Sequence, residues 1–260
     1  MNKLIKSICI VLIISFCCFS QMIYAQTTER ATAWFFKKTL DHTQPNLDPR
    51  LSFIEKYDCA YVDKTKADDE DKVIYLTFDA GYENGNIEKI LDSMKEHDVR
   101  GSFFILENLI NRNPQLVKRM VDEGHLVCNH TAKHKDMSRI TEKTTFETEL
   151  QKLEKIFADN IGGELAKIYR PPEGRFSELN LIHATELGYK TVFWSFAYAD
   201  WDNKKQMSEE EALEKISSTL HNGEIMLLHP TSDTNAKIMP RLINLLKKEG
   251  YRFETLDNLP

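Results

Sequence analysis

The chain has 260 residues, a formal net charge of −6 and 28% charged side chains. Setting aside Lys3 and Lys6 at the front leaves 32 basic against 40 acidic residues, a balance of −8; that disfavours sequence-independent nucleic-acid binding, which needs lysine and arginine to neutralise phosphates. Three of the five cysteines (Cys9, Cys17, Cys18) lie in the leading segment, so Cys59 and Cys128 allow at most one disulfide, and no CxxC pair points to structural zinc or redox work.

In chain order, Lys3 and Lys6 precede an apolar run from Ser7 to Phe19, and Ala25 supplies a small residue at a cleavage point. Residues 1–25 therefore read as an export signal. The run is shorter than the roughly 20 apolar residues of a spanning helix. Ile23 is larger than a clean cleavage site prefers, so removal and retention as an uncleaved membrane anchor are both open. Residues 26–72 carry Trp34, Phe35 and Phe36, then a polar stretch with prolines, then the charged run Asp63–Lys72. They read as an extension packed on the main domain and followed by an exposed turn.

Residues 73–260 read as one domain in which short β-rich runs alternate with helical patterns. The runs are Val73–Phe78, Gly101–Leu106, His125–His130, Lys167–Arg170, Thr191–Phe196, Glu224–His229 and, more weakly, Arg252–Leu256. Between them, Ile87, Ile90, Leu91 and Met94 keep the 3.6 spacing, as do Leu116, Val117, Met120 and Val121. A longer helix is expected from Thr141 to about Asn160, and others start near Ser177, Ser208 and Asn235. Such alternation implies an α/β fold with a parallel sheet, either a (β/α) barrel of about seven units with an N-terminal extension or an open doubly wound sheet.

Asp79, His130, Arg170, Asp200 and His229 each fall at or just beyond the C-terminal end of an expected strand. In a parallel α/β architecture those ends share one face, where active sites are built. Each residue alone has a plain structural explanation: a turn aspartate, an exposed histidine, an arginine on the extended segment before Pro171 and Pro172. Five together from five strands make chance placement a poor explanation. His130 and His134 form an HxxxH pair. If the segment turns helical, their Cβ atoms lie about 6 Å apart on one face, and both rings can approach one ion at about 2.0–2.1 Å.

The motifs TFDAG (Thr77–Gly81), HTAKH (His130–His134), RPPEG (Arg170–Gly174), ADW (Ala199–Trp201) and LLH (Leu227–His229) resemble, in that order, the polysaccharide deacetylases of carbohydrate esterase family four. FKK (Phe36–Lys38), HTQPN (His42–Asn46) and IYLTFDAGYENG (Ile74–Gly85) are similar in particular to the delta-lactam-biosynthetic de-N-acetylases of spore-forming bacteria, so the resemblance covers nearly all of the chain after residue 25. It implies a deformed (β/α) barrel and an exported hydrolase that removes the N-acetyl group of N-acetylmuramic acid in peptidoglycan glycan strands, leading to muramic-δ-lactam in spore cortex. Alternatives are a deacetylase of N-acetylglucosamine in peptidoglycan or chitin-like polymers, and a non-catalytic wall-binding relative.

Residue by residue, the resemblance makes Asp79 the general base and His130 and His134 ligands of a divalent metal, usually zinc. His229 becomes the general acid, with Arg170 holding Asp79, Asp200 tuning His229, and Trp201 walling the acetyl pocket. The backbone N–H of Glu173 becomes an oxyanion donor. The chemistry asks for the same types: an acetamide needs an activated water, a polarised carbonyl, oxyanion donors and a proton for the departing amine. Two positions depart from the family pattern. Ala80 replaces a second aspartate that serves elsewhere as third metal ligand, leaving either Glu83 in the same loop or solvent to complete the coordination. Glu173 stands where many relatives carry an aromatic residue, which alters the shape and charge of the sugar subsite.

Overall fold

Residues 28–260 are described in a computed structural model, and residues 1–25, read from the sequence as an export signal, lie outside the described residues. The elements run β1 (Thr32–Ala33), β2 (Cys59–Ala60), β3 (Val73–Ala80), α1 (Asn86–Glu96), β4 (Ser102–Ile105), α2 (Glu107–Arg112), α3 (Pro114–Asp122), β5 (Leu126–Asn129), α4 (Lys143–Asn160), β6 (Ala166–Tyr169), β7 (Arg175–Phe176), α5 (Glu178–Glu186), β8 (Lys190–Val192), α6 (Glu209–Ser217), β9 (Glu224–Leu228), α7 (Asp233–Lys248) and β10 (Arg252–Phe253). Seven of these strands are the seven β-rich runs, in order, and all pair in parallel. The sheet runs β10-β3-β4-β5-β6-β8-β2, with β9 against β3. Isolated bridges from Phe196 to Met226 and from Val62 to Glu224 draw the far edge back towards β9. The sheet thus curls into the barrel expected from strand–helix alternation, deformed as the family resemblance implies.

Alternation along β3 sorts the core into two layers, because successive side chains of a strand point to opposite faces. Ile74, Leu76, Phe78 and Ala80 pack outward against the helices, beside Ile87, Ile90 and Met94 of α1 and Ile238, Leu242 and Leu246 of α7. Val73 and Tyr75 point inward with Phe104, Cys128, Ile168, Val192 and Ile225. Leu256 and Leu259 join this inner cluster, with the Leu256 N–H bonded to Ser102 Oγ at the start of β4, so they plug the lower end. Thr77 and Asp79 continue the inward series. The period of two therefore delivers Asp79 to the upper mouth of the barrel, where the strands end. Cys59 and Cys128 are both free thiols.

The helices start where short polar side chains can cap them. Ser177 and Asn180 form a reciprocal capping box at α5, Ser208 and Glu211 another at α6, and Ser232 caps α7. Val121, read as part of an apolar stripe, is exposed on α3, whose buried residues are Val117 and Met120. Residues 28–72 hold more regular structure than their composition suggests. β2 lies parallel to β8, and β1 pairs antiparallel with β7, the strand that follows the RPPEG segment. The charged run is exposed at residues 64–65 and 67–72, with Arg252 and the half-buried Lys66 paired to Asp71, but Asp63 is buried and accepts from the Tyr75 hydroxyl at 2.9 Å.

Candidate active site

Parallel strands bring their C-terminal ends to one side of the sheet, and three reactive side chains meet there directly. Arg170, immediately after β6, is fully buried. Its guanidinium donates to Asp79 Oδ1 at 2.8 Å and to the carbonyls of Val192 and Phe193 at 3.1 and 3.2 Å, and lies over the Phe104 ring at 4.0 Å. A planar five-donor fork held on four sides has one orientation, so Asp79 is presented in one orientation too. His130 Nε2 stands 3.5 Å from the other carboxylate oxygen of Asp79.

The His130 Nδ1–H donates to the Arg170 carbonyl at 2.9 Å, which leaves Nε2 with its lone pair aimed towards Asp79. Burial pushes His130 down to about 4 against the pull of Asp79, so the ring is neutral at pH 7. A bare imidazole nitrogen and a carboxylate oxygen then face one another with no proton between them, an arrangement that calls for a cation. The His134 ring lies 5.0 Å from that of His130, centre to centre, at 71°. These donors fit a divalent ion of the zinc type, which takes neutral imidazole nitrogens. His134 does not arrive on a helix. Residues 130–135 are irregular, with Thr131 and His134 at φ 75° and 55°, and the turn is held by Asn129 Oδ1 on the Thr131 N–H and Thr131 Oγ1 on the His134 N–H. Left-handed backbone at two non-glycine residues is costly and persists here because its surroundings fix it.

Across the mouth, His229 follows β9 and Asp200 sits in the loop after β8. The His229 Nδ1–H donates to Asp200 Oδ1 at 2.7 Å and its backbone N–H to Asp200 Oδ2 at 2.7 Å, so the ring's Nε2 is the nitrogen left for a substrate. Burial lowers the affinity of His229 for a proton, but the hydrogen bond and charge of Asp200, aided by Asp79, outweigh it and raise the group above its ordinary value. Burial likewise raises Asp79, and His130, Arg170 and His229 outweigh it and hold the carboxyl below the usual range. With His130 neutral, Arg170 is the standing positive charge behind that effect. Trp201, 63% exposed, stands beside His229 with ring centres 6.0 Å apart.

Two further positions differ from the simplest expectation. Glu173 adopts φ 56° and pairs its side chain with Arg175 Nε at 3.1 Å. Its neighbour Gly174 has φ 64°, and a Cβ there would come within 2.8 Å of Trp194, so this loop requires glycine. The Glu83 carboxylate is turned to the chain instead: its two oxygens accept from the backbone N–H groups of Gly85 and Ile87, satisfying the first turn of α1. Ala80 is buried in the helix-facing layer. Among the described residues no cluster of three or more His, Cys, Asp or Glu side chains is placed to hold an ion. Glu83→Ala therefore costs about 0.5–2 kcal/mol of stability in a denaturant titration, as loss of a helix cap does. A zinc titration of the same variant gives the wild-type affinity.

Two buried residues of the site carry no signal in the motif spacing. Asn235, in the first turn of α7, donates to Asp200 Oδ2, and Tyr198 donates to Asn235. An asparagine at a helix start reads as a cap, yet here Ser232 is the cap and Asn235 turns inward. Trp34 of the N-terminal segment donates its backbone N–H to the Gly174 carbonyl at 2.8 Å and its indole N–H to the Trp194 carbonyl at 2.9 Å, backing the RPPEG loop.

Comparison with known proteins agrees with this geometry. Residues 66–192 match the family profile of the polysaccharide deacetylases. The chain is 42% identical over 229 residues to the peptidoglycan-N-acetylmuramic acid deacetylase PdaA of Bacillus subtilis, covering 87% of this chain and 84% of that one. It is 32% identical to a peptidoglycan-N-acetylglucosamine deacetylase of Bacillus cereus, with 80% and 74% covered. The solved structure of Bacillus subtilis PdaA, described as a family 4 carbohydrate esterase, superposes with a TM-score of 0.83 at 39% identity, over 89% of this chain and 97% of that one.

Proposed function

This chain belongs to the polysaccharide deacetylases of carbohydrate esterase family four, and on that premise we propose that it hydrolyses the N-acetyl group of N-acetylmuramic acid in peptidoglycan glycan strands. The identity to an N-acetylmuramic acid deacetylase across most of both chains supports that choice of sugar. The observation that carries the chemistry is the facing pair of groups at the barrel mouth: a carboxylate held by Arg170 at 2.8 Å and an imidazole held by Asp200 at 2.7 Å. A binding module has no need of either proton carrier.

Asp79, ionised and held by Arg170, takes the proton from the attacking water. His130 and His134 would hold a divalent cation of the zinc type, which would supply Lewis acidity to the acetyl carbonyl and the water. The backbone N–H of Glu173 donates to the oxyanion of the tetrahedral intermediate. His229, protonated at Nε2, gives its proton to the nitrogen as the C–N bond breaks, releasing acetate and a free amine. Trp201 forms a wall beside the acetyl group. The amine and the lactyl carboxyl of the same sugar then condense with loss of water to muramic-δ-lactam. A wall substrate lies outside the cell membrane, and residues 1–25 fit an export signal. No helix among the described residues is long and apolar enough to cross a membrane.

Ala80 has no donor atom and Glu83 is engaged by backbone N–H groups, so an ion held by His130 and His134 would take its remaining ligands from solvent and would exchange readily. Dialysis against a chelator is expected to abolish acetate release from amidase-treated glycan strands, and added zinc to restore it. Full activity in the chelated protein would remove the metal from this reading. Absence of acetate from the zinc-loaded protein on every glycan would favour a wall-binding relative.

A further inference from the structure

The proton donor's partner, Asp200, has more hydrogen bonds than the imidazole accounts for. One oxygen takes the His229 Nδ1–H; the other takes the His229 backbone N–H and the Asn235 side-chain amide, each at 2.7 Å. The Asn235 amide nitrogen has two hydrogens, and the second goes to the His229 carbonyl at 3.0 Å. Its oxygen accepts from the Tyr198 hydroxyl. Both hydrogens and one oxygen lone pair of this fully buried amide are thus assigned, and a flip would set its oxygen against a carboxylate and a carbonyl. Burial first, then the nearby Asp200 charge, raises the Tyr198 phenol, so it remains a donor. The cluster joins the loop after β8, the end of β9 and the start of α7 at one point.

We propose that Asn235 is a positioning residue for the proton donor: it fixes which Asp200 oxygen meets the His229 ring, and Tyr198 fixes Asn235. Without Asn235, Asp200 Oδ2 keeps only the His229 backbone N–H, the carboxylate can swing about its Cβ–Cγ bond, and it holds the Nδ1–H of the imidazole less firmly. With Nδ1–H directed to a fixed Asp200 oxygen, the protonated ring presents its Nε2–H to the departing nitrogen along a defined line. The charged groups facing His229 are Asp200, Asp79 and Arg170, and Asn235 acts by orienting the first without adding a charge. The inference rests on the deacetylase reading above.

The test uses the zinc-loaded chain on amidase-treated strands, beginning with wild-type acetate release, which checks the deacetylase reading by itself. Asn235→Ala is expected to lower kcat about 10–100-fold, the usual cost of an outer hydrogen-bond partner, with KM within about two-fold of wild type. Tyr198→Phe is expected to give a smaller loss of the same kind. In the Asp200→Ala background, Asn235→Ala is expected to add less than about two-fold, since residues acting through one group are not additive. Nitrogen NMR of the neutral His229 ring, recorded at a pH above its titration and needing no turnover, is expected to show one tautomer in wild type and a mixture in Asn235→Ala. A folded Asn235→Ala with wild-type kcat, full additivity with Asp200→Ala, or an unchanged tautomer overturns the proposal. If Asn235→Ala does not fold, Tyr198→Phe is judged by the same three criteria.

Discussion

Asp79→Asn lowers acetate release by about 10²–10⁴-fold, the range for losing a positioned general base, while the protein stays folded. Asparagine keeps a side-chain oxygen for the Arg170 guanidinium at the position now 2.8 Å away, so the buried arginine is not stranded. Asp79→Ala loses activity to the same extent but also removes the carboxylate partner of a fully buried guanidinium. Breaking a buried ion pair from one side costs about 3–5 kcal/mol, so the alanine variant melts well below the asparagine variant. Comparing the two by single-turnover acetate release and thermal unfolding separates the carboxylate's chemical role from its electrostatic one. An Asp79→Asn enzyme within ten-fold of wild type would assign the base elsewhere.

Asp200→Asn is the second large effect, and its sign follows from the two shifted groups. Asp79 lies below its ordinary value, so the base is ionised once pH rises past that point. His229 lies above its ordinary value, so the acid form persists to higher pH than in an ordinary histidine and disappears as pH rises through its own raised value. Wild-type kcat/KM against pH is therefore a bell whose acid limb falls below the ordinary carboxylate range and whose alkaline limb falls above the ordinary histidine value. Asp200→Asn removes the charge that offsets the burial of His229, so the alkaline limb moves to lower pH while the acid limb stays. At pH 7 the expected loss is on the order of 10²–10⁴-fold. A pH profile in which the variant falls uniformly, with both limbs unmoved, contradicts Asp200 as the group that keeps His229 protonated.

The strands were legible because a barrel buries both faces of each one, which leaves continuous apolar runs such as Val73–Phe78 that end at a polar residue. Strand ends on one face then made Asp79, His130, Arg170 and His229 readable as neighbours before any coordinates. Three things escaped for identifiable reasons. The HxxxH spacing suggested a helix, but Thr131 and His134 reach the site through left-handed backbone stabilised by Asn129 and Thr131, and no periodicity encodes that. Glu83 was open as a ligand because its loop position says nothing of its rotamer, which caps α1. Asn235 and Tyr198 meet Asp200 through contacts 35 and 37 residues apart in sequence, between a loop and a helix start that spacing rules do not connect. Two-residue strands such as β1 and β2 are too short to show alternation at all.

The most direct measurement is to incubate the zinc-loaded protein with amidase-treated glycan strands, digest them, and locate the free amine by mass spectrometry. Amine or δ-lactam on the muramic acid, absent with Asp79→Asn, is the predicted result. An amine carried on glucosamine instead, or intact acetyl groups on every sugar, contradicts it.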